Sequence, residues 1–263
     1  MPIKVSSPAT GEFWEIPVLY EDDCLIALDK PAGLPTAIDP SQPDRANLIA
    51  LLHKGVAEGK HWAATRSLSF IMYAHRLDTE ASGVLLFARS KDILARLLND
   101  FGSEKPALKI VALIEGTPSE DHFAMEGRIG PHAARPGMMR IDSRHGKRAR
   151  TGFQVVERFR DWTLLECAPL THRRHQVRLH LAYARHRVAG DGLYGGKPLL
   201  LSRLKPGYHL KPGHTEKPLL GRACLHASRL EIAHPVTGAP LVIEAPLPRD
   251  LQVALKYLRK YGR

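Results

Sequence analysis

A polar turn opening straight into an uninterrupted apolar run is the feature that most constrains this chain. His75-Arg76-Leu77-Asp78-Thr79-Glu80-Ala81-Ser82-Gly83 leads into Val84-Leu85-Leu86-Phe87-Ala88. Apolar residues without alternation describe a strand covered on both faces, so other elements must wrap the sheet there. A loop residue at the edge of such a sheet is held rigidly yet can face a cleft, which suits a carboxylate acting as nucleophile or acid/base. Asp78 is therefore the first candidate. The same stretch also reads as an ordinary turn in which Asp78 or Thr79 bonds local amides.

Charge narrows the class of partner. Lys and Arg number 38 against 27 acidic residues in 263, a formal charge of +11, which points to a polyanion. No apolar run approaches the roughly 18 residues that span a bilayer, and no basic amphipathic helix of useful length is evident, so nucleic acid is favoured over membrane. The N-terminus lacks a secretory pattern, and a cytoplasmic protein is expected. Cys24, Cys167 and Cys224 are odd in number and far apart, which argues against a disulfide framework or a cysteine zinc site. All three are expected as reduced, buried thiols.

The coarse pattern is α+β. Residues 17–20 and 24–28 read as strands around an acidic turn, and Lys30-Pro31-Ala32-Gly33 ends that unit. A proline-rich loop over 35–46 precedes a helix carrying Leu48, Leu51, Leu52 and Val56. Strand 84–88 is followed by a helix with Ile93, Leu94, Leu97, Leu98 and Phe101 on one face, ending near Gly102. A strand over 110–114 and a hairpin of 153–159 with 164–168 continue the sheet. Residues 131–150 and 202–222 read as extended basic loops. The expected architecture is a mixed, largely antiparallel central sheet flanked by helices and loops around a basic cleft.

A second constellation is Thr171-His172-Arg173-Arg174-His175-Gln176-Val177-Arg178-Leu179-His180-Leu181, at the expected start of a helix. Three arginines so close together call for an anionic partner. Arg174 and Arg178 are spaced to share one helical face, with Val177, Leu181 and Ala184 on another. A zinc site of His172, His175 and His180 is disfavoured, because the spacing is wrong and the adjacent arginines repel a dication.

Together these residues resemble the RluA-type pseudouridine synthases. His75-Arg76-Leu77-Asp78 followed by Ala81-Ser82-Gly83 is similar to the family signature around its catalytic Asp. Thr171, Arg173, His175, Gln176, Val177 and Arg178 match a later motif; His172 stands where Gly is usual, a position expected to be left-handed, and Arg174 where a small hydroxyl residue is usual. Leu19 to Asp23 with Lys30 to Leu34, Ala189-Gly190-Asp191 with Tyr194-Gly195-Gly196, Leu225-His226-Ala227, His234-Pro235 and Ala245 to Pro248 fall in the family's order. Asp29 replaces a usual Asn. A strand motif departs more seriously: the position of a base-stacking Tyr holds Ile110, and that of its Lys holds Leu108.

The resemblance implies an isomerase that detaches uracil from its sugar in RNA, rotates it and rejoins it through carbon, without metal or cofactor. Asp78 would attack the anomeric carbon or abstract a sugar proton, both of which need an ionised carboxylate. Arg178 would hold it by a charge-assisted pair. Because a stacked uridine hides its sugar, the nucleotide must flip out, and Arg76 is placed to fill the vacated stack. His75, Leu77 and Thr79 would line the same turn, with Ile110, Arg173, Arg174, His175 and Gln176 completing the substrate site. Arg144, Lys147, Arg148 and Arg150 would contact backbone phosphates. A single catalytic domain is expected over 1–263, with family motifs over about 17–250 and no separate N-terminal S4-type RNA-binding module. The expected state is a monomer, and the RNA is ribosomal or transfer RNA. The alternatives are a catalytically weak or inactive RNA-binding factor on this fold, motivated by Ile110, and a metal-dependent nuclease.

Overall fold

The computed structural model describes residues 1–8, 10–39, 42–210 and 213–262. The chain opens with an unanticipated hairpin, β1 (Ile3–Ser7) and β2 (Glu12–Ile16), in which Ile3, Val5 and Ser7 alternate inward. The acidic-turn unit forms as expected from β3 (Val18–Glu21) and β4 (Leu25–Lys30). Asp22 caps that turn by accepting from the amides of Cys24 and Leu25. Helix α1 (Leu48–Ala57) starts where Asn47 accepts from the Ala50 amide. A short α2 (His61–Ala64) and β5 (Met72–Tyr73) lead to the turn at Asp78.

Strand β6 (Ser82–Ala88) is buried at all seven positions, which is why its sequence shows no alternation. Ser90 caps α3 (Lys91–Gly102), with Ile93, Leu97 and Phe101 inward and Asp92 in the favourable first turn. The sheet then runs through β7 (Ala107–Glu115), β8 (His122–Pro131), β9 (Met139–Ile141), β10 (Lys147–Arg158) and β11 (Trp162–Pro169). Helix α4 (Gln176–Tyr183), a 3-10 turn at Gly192–Tyr194 and the short α5 (Leu201–Leu204) follow. β12 (Leu225–Ala233), β13 (Pro240–Glu244) and α6 (Arg249–Tyr261) close the chain.

Among the described residues eleven strands form one sheet in the order β3-β4-β6-β12-β7-β11-β10-β8-β9, with β13 added to β12 and β5 to β6. Of the pairings among them, that of β6 with β12 is parallel and the others are antiparallel. Those two share only the pairs Ser82 with His226 and Ala227 with Gly83. Gly83 has φ +106, and a Cβ there would lie 2.1 Å from the Ala227 carbonyl oxygen. Only glycine permits this approach, and it sets the end of the Asp78 turn against the sheet centre.

Three sequence readings are corrected. Residues 131–150 are not one loop: β9 and the start of β10 extend the sheet as an arm, and 202–222 begins inside α5. The arm strands were obscured because the inward side chains of β10, Ala149, Thr151 and Phe153, include two that are small or polar and give a weak period-2 signal. Cys167 and Cys224 are buried free thiols, whereas Cys24 beside the acidic turn is only half-buried. No helix among the described residues is long and apolar enough to cross a membrane.

Candidate active site

The turn at Asp78 is held mainly through its backbone. Thr36 donates its hydroxyl to the Leu77 carbonyl at 2.9 Å, and the Gly33 amide donates to the Thr79 carbonyl at 2.8 Å. Lys30, fully buried, donates to the carbonyls of Leu34 at 2.7 Å, Pro31 at 2.9 Å and Thr79 at 3.4 Å. Burial drives its ammonium down to about 7, against the pull of Asp78. The segment Lys30 to Leu34, whose first four residues read from sequence as a stop signal, is thus wrapped around the turn.

The Asp78 side chain meets two groups from the second constellation. Arg178 Nη1 lies 3.6 Å from Asp78 Oδ2, and the His175 backbone amide donates to Asp78 Oδ1 at 3.3 Å. His175 takes a left-handed conformation, φ 54 and ψ 21, at the start of α4. The left-handed residue of this motif is therefore His175; His172 is not among the positive-φ residues. The expectation that Arg174 and Arg178 share a helical face fails, because α4 begins at Gln176. Arg174 instead pairs with Asp39 at 2.9 Å.

Arg178 is 2% exposed and pairs chiefly with a residue the sequence reading placed in a motif but gave no role. Its Nε and Nη2 donate to Asp191 at 2.7 and 2.6 Å, a bidentate fork. Nη1 also donates to Glu80 at 3.1 Å, and the guanidinium stands 5.3 Å from the Tyr194 ring centre. Burial alone would lower the guanidinium pKa, but the Asp191 hydrogen bonds and the charges of Asp78, Asp191 and Glu80 outweigh it and raise it. The sequence signal for Asp191 is its place in the Ala189-Gly190-Asp191 motif; that Arg178 is buried and needs a carboxylate shows only in the fold.

In front of Asp78 opens a cavity of about 680 Å³, within the range of about 300–1,000 Å³ typical of ligand sites. Of the expected site residues, His75, Arg76, Leu77, Asp78, Thr79, Ile110, Arg173, Arg174, His175 and Gln176 all line it. Arg178 does not, so it reaches the cavity only through Asp78. Arg76 and Arg173 are exposed at the wall. Gln176 has its amide consumed: its oxygen accepts from Thr171 and from the Arg173 amide, and its nitrogen donates to the Arg150 carbonyl and to Thr151. His75 is buried and stacked on Phe101 at 5.1 Å, with Nε2 accepting from the Leu86 amide. Burial, assisted by His172, pushes it down to about 3. It is a neutral wall residue at neutral pH. Ile110, Leu108 and Ala227 contribute an apolar part of the lining.

The histidines do not converge into a metal site. His175 Nδ1 bonds Tyr194 and His180 Nδ1 bonds Thr151, at 3.0 and 2.9 Å. Among the described residues the one metal-like grouping is Asp22, Cys24 and His234. There His234 Nδ1 accepts from the amides of Val236 and Thr237, which leaves the proton on Nε2, the atom facing Asp22 at 3.0 Å. A nitrogen that carries a proton is no ligand.

Residues 24–183, more than half of the chain, match the family described as RNA pseudouridylate synthase. Ribosomal large subunit pseudouridine synthase C of Salmonella typhi is 34% identical over 247 residues, covering 92% of this chain and 70% of that one. Ribosomal large subunit pseudouridine synthase D of Xylella fastidiosa is 35% identical over 253 residues, with 92% and 69% covered. Among solved structures, human RNA pseudouridylate synthase domain containing 4 shares the fold, with a TM-score of 0.67 at 24% identity and 92% of each chain covered. Fold and matches together define an RNA-modifying isomerase. The chain belongs to the RNA pseudouridylate synthase family.

Proposed function

We propose that this protein converts a uridine of ribosomal RNA to pseudouridine, with Asp78 as the catalytic residue and Arg178 positioning it. The observation that carries this reading is the Asp78 carboxylate on the wall of the cavity, bonded to the His175 amide and paired with Arg178. In the reaction the N1–C1′ bond breaks and a C5–C1′ bond forms, while C5 loses a proton and N1 gains one. Asp78 acts on the sugar of the flipped nucleotide, by attack at C1′ or by removing a sugar proton. Arg178, itself held by Asp191, orients the carboxylate. Arg76, exposed beside the cavity, occupies the space the flipped base vacates.

The ribosomal substrate is supported by the names of the two bacterial relatives and by the +11 charge. Arg144, Lys147 and Arg148 stand exposed on the arm and contact phosphates; the catalytic domain acts as a monomer in the cytoplasm. Incubating it with ribosomal RNA transcripts carrying tritium at uracil C5 tests the reading. Tritium release is expected, and its loss in Asp78→Asn assigns the residue. Absence of release from all ribosomal transcripts would return the molecule to RNA binding without chemistry, the reading that Ile110 motivates.

A further inference from the structure

Behind the cavity, one hydroxyl joins three elements that sequence separates widely. The Met139 amide of β9 donates to Tyr194 Oη at 3.0 Å. That oxygen also lies 3.0 Å from His175 Nδ1 and 3.4 Å from the Met139 carbonyl oxygen. The hydroxyl has one proton to give, to His175 Nδ1 or to the Met139 carbonyl; His175 is the nearer, and a proton given there makes Nδ1 the acceptor and leaves the ring proton on Nε2. Burial lowers the His175 pKa and favours the neutral ring, in which one nitrogen is a donor and the other an acceptor. The same His175 supplies the backbone amide to Asp78 from a left-handed conformation that a non-glycine residue adopts only when its surroundings enforce it. The Tyr194 ring, meanwhile, lies beneath Arg178, and Asp191 caps the 3-10 turn that carries it.

We propose that Tyr194 is a positioning residue: its hydroxyl holds His175 in the Nε2–H tautomer and in the strained backbone that bonds Asp78, and its ring supports Arg178. The seat of the basic arm at β9 and the orientation of the carboxylate are thereby set by one side chain. His175 lines the cavity, so the tautomer also decides whether it presents a donor or an acceptor to substrate. This rests on the function proposed above for Asp78.

The test combines kinetics with nuclear magnetic resonance. Tyr194→Phe keeps the ring and removes only the hydroxyl; single-turnover tritium release at saturating RNA should fall about tenfold, with Kd for RNA within about twofold of wild type. Long-range 1H–15N correlation of the histidine rings should show His175 as Nε2–H in the wild type and as a mixture in Tyr194→Phe. An unchanged single-turnover rate, or a raised Kd with the rate unaltered, overturns the proposal. So does an Nδ1–H tautomer in the wild-type protein, a result that needs no variant to fold. If the wild type releases no tritium, the functional reading fails, and the tautomer measurement still judges the linkage.

Discussion

Arg178 and Arg148 are thirty residues apart and formally alike, yet their surroundings differ in every respect. Arg178 is 2% exposed, with Asp78, Glu80 and Asp191 around its guanidinium. Arg148, like Arg144 and Lys147, stands exposed on the arm, and among the described residues no carboxylate lies within ion-pair distance of these three. The buried charge is coupled to its neighbours and cannot be removed without stranding them. Exposed charges are screened by salt and act in sum. Positive charge in this sequence therefore stands in two physically different settings, one buried and paired with carboxylates, the other exposed to solvent.

The contrast is most sharply tested at Asp78. Asp78→Asn keeps shape and removes charge, and tritium release should fall at least about 1,000-fold while RNA affinity changes little. Comparable loss of binding would place Asp78 with the arm. Next comes Arg178→Ala, which leaves Asp191, 1% exposed, without its partner; urea unfolding should report a loss of about 3–5 kcal/mol, far more than any arm arginine.

A pH titration separates the regions again. His75 is held near 3 in the folded state and titrates at 6.5 when free. Between those values the unfolded chain binds the proton and the folded chain does not, so its contribution is complete above 6.5 and declines as pH falls towards 3. His75→Leu should flatten that part of the stability profile measured by chemical denaturation. The smallest effects belong to the arm. Arg144→Ala, Lys147→Ala or Arg148→Ala should each weaken RNA binding a few-fold, reduce the salt slope by roughly 0.7–0.9 and leave stability within about 0.5 kcal/mol. A salt-independent loss in filter binding would show that the arm residue reads something other than phosphate.

Much of the fold was legible where burial leaves a periodic trace. The β3–β4 unit, α1, β6, α3, β7 and the β10–β11 hairpin follow from apolar runs, helical spacing and turn residues. The arm escaped because its inward positions include Ala149 and Thr151, too small or polar to register as a stripe. Ten of the residues named from sequence line one cavity, although they come from segments far apart in the chain. Their roles were less visible: His75 is a buried wall, Gln176 a saturated brace, and Glu80, Asp191 and Tyr194 the partners through which Arg178 acts.

Residue identity and motif order alone determined the family and the excess of positive charge, because both are local properties of the chain. Which cation is buried beside Asp78 and which stands in solvent was decided only by tertiary structure. Desolvation is a property of surroundings, and the surroundings of Arg178 are assembled from residues 78, 80, 191 and 194, brought together by the β6–β12 contact, α4 and the 3-10 turn. No spacing along the chain encodes how deeply a charge is buried.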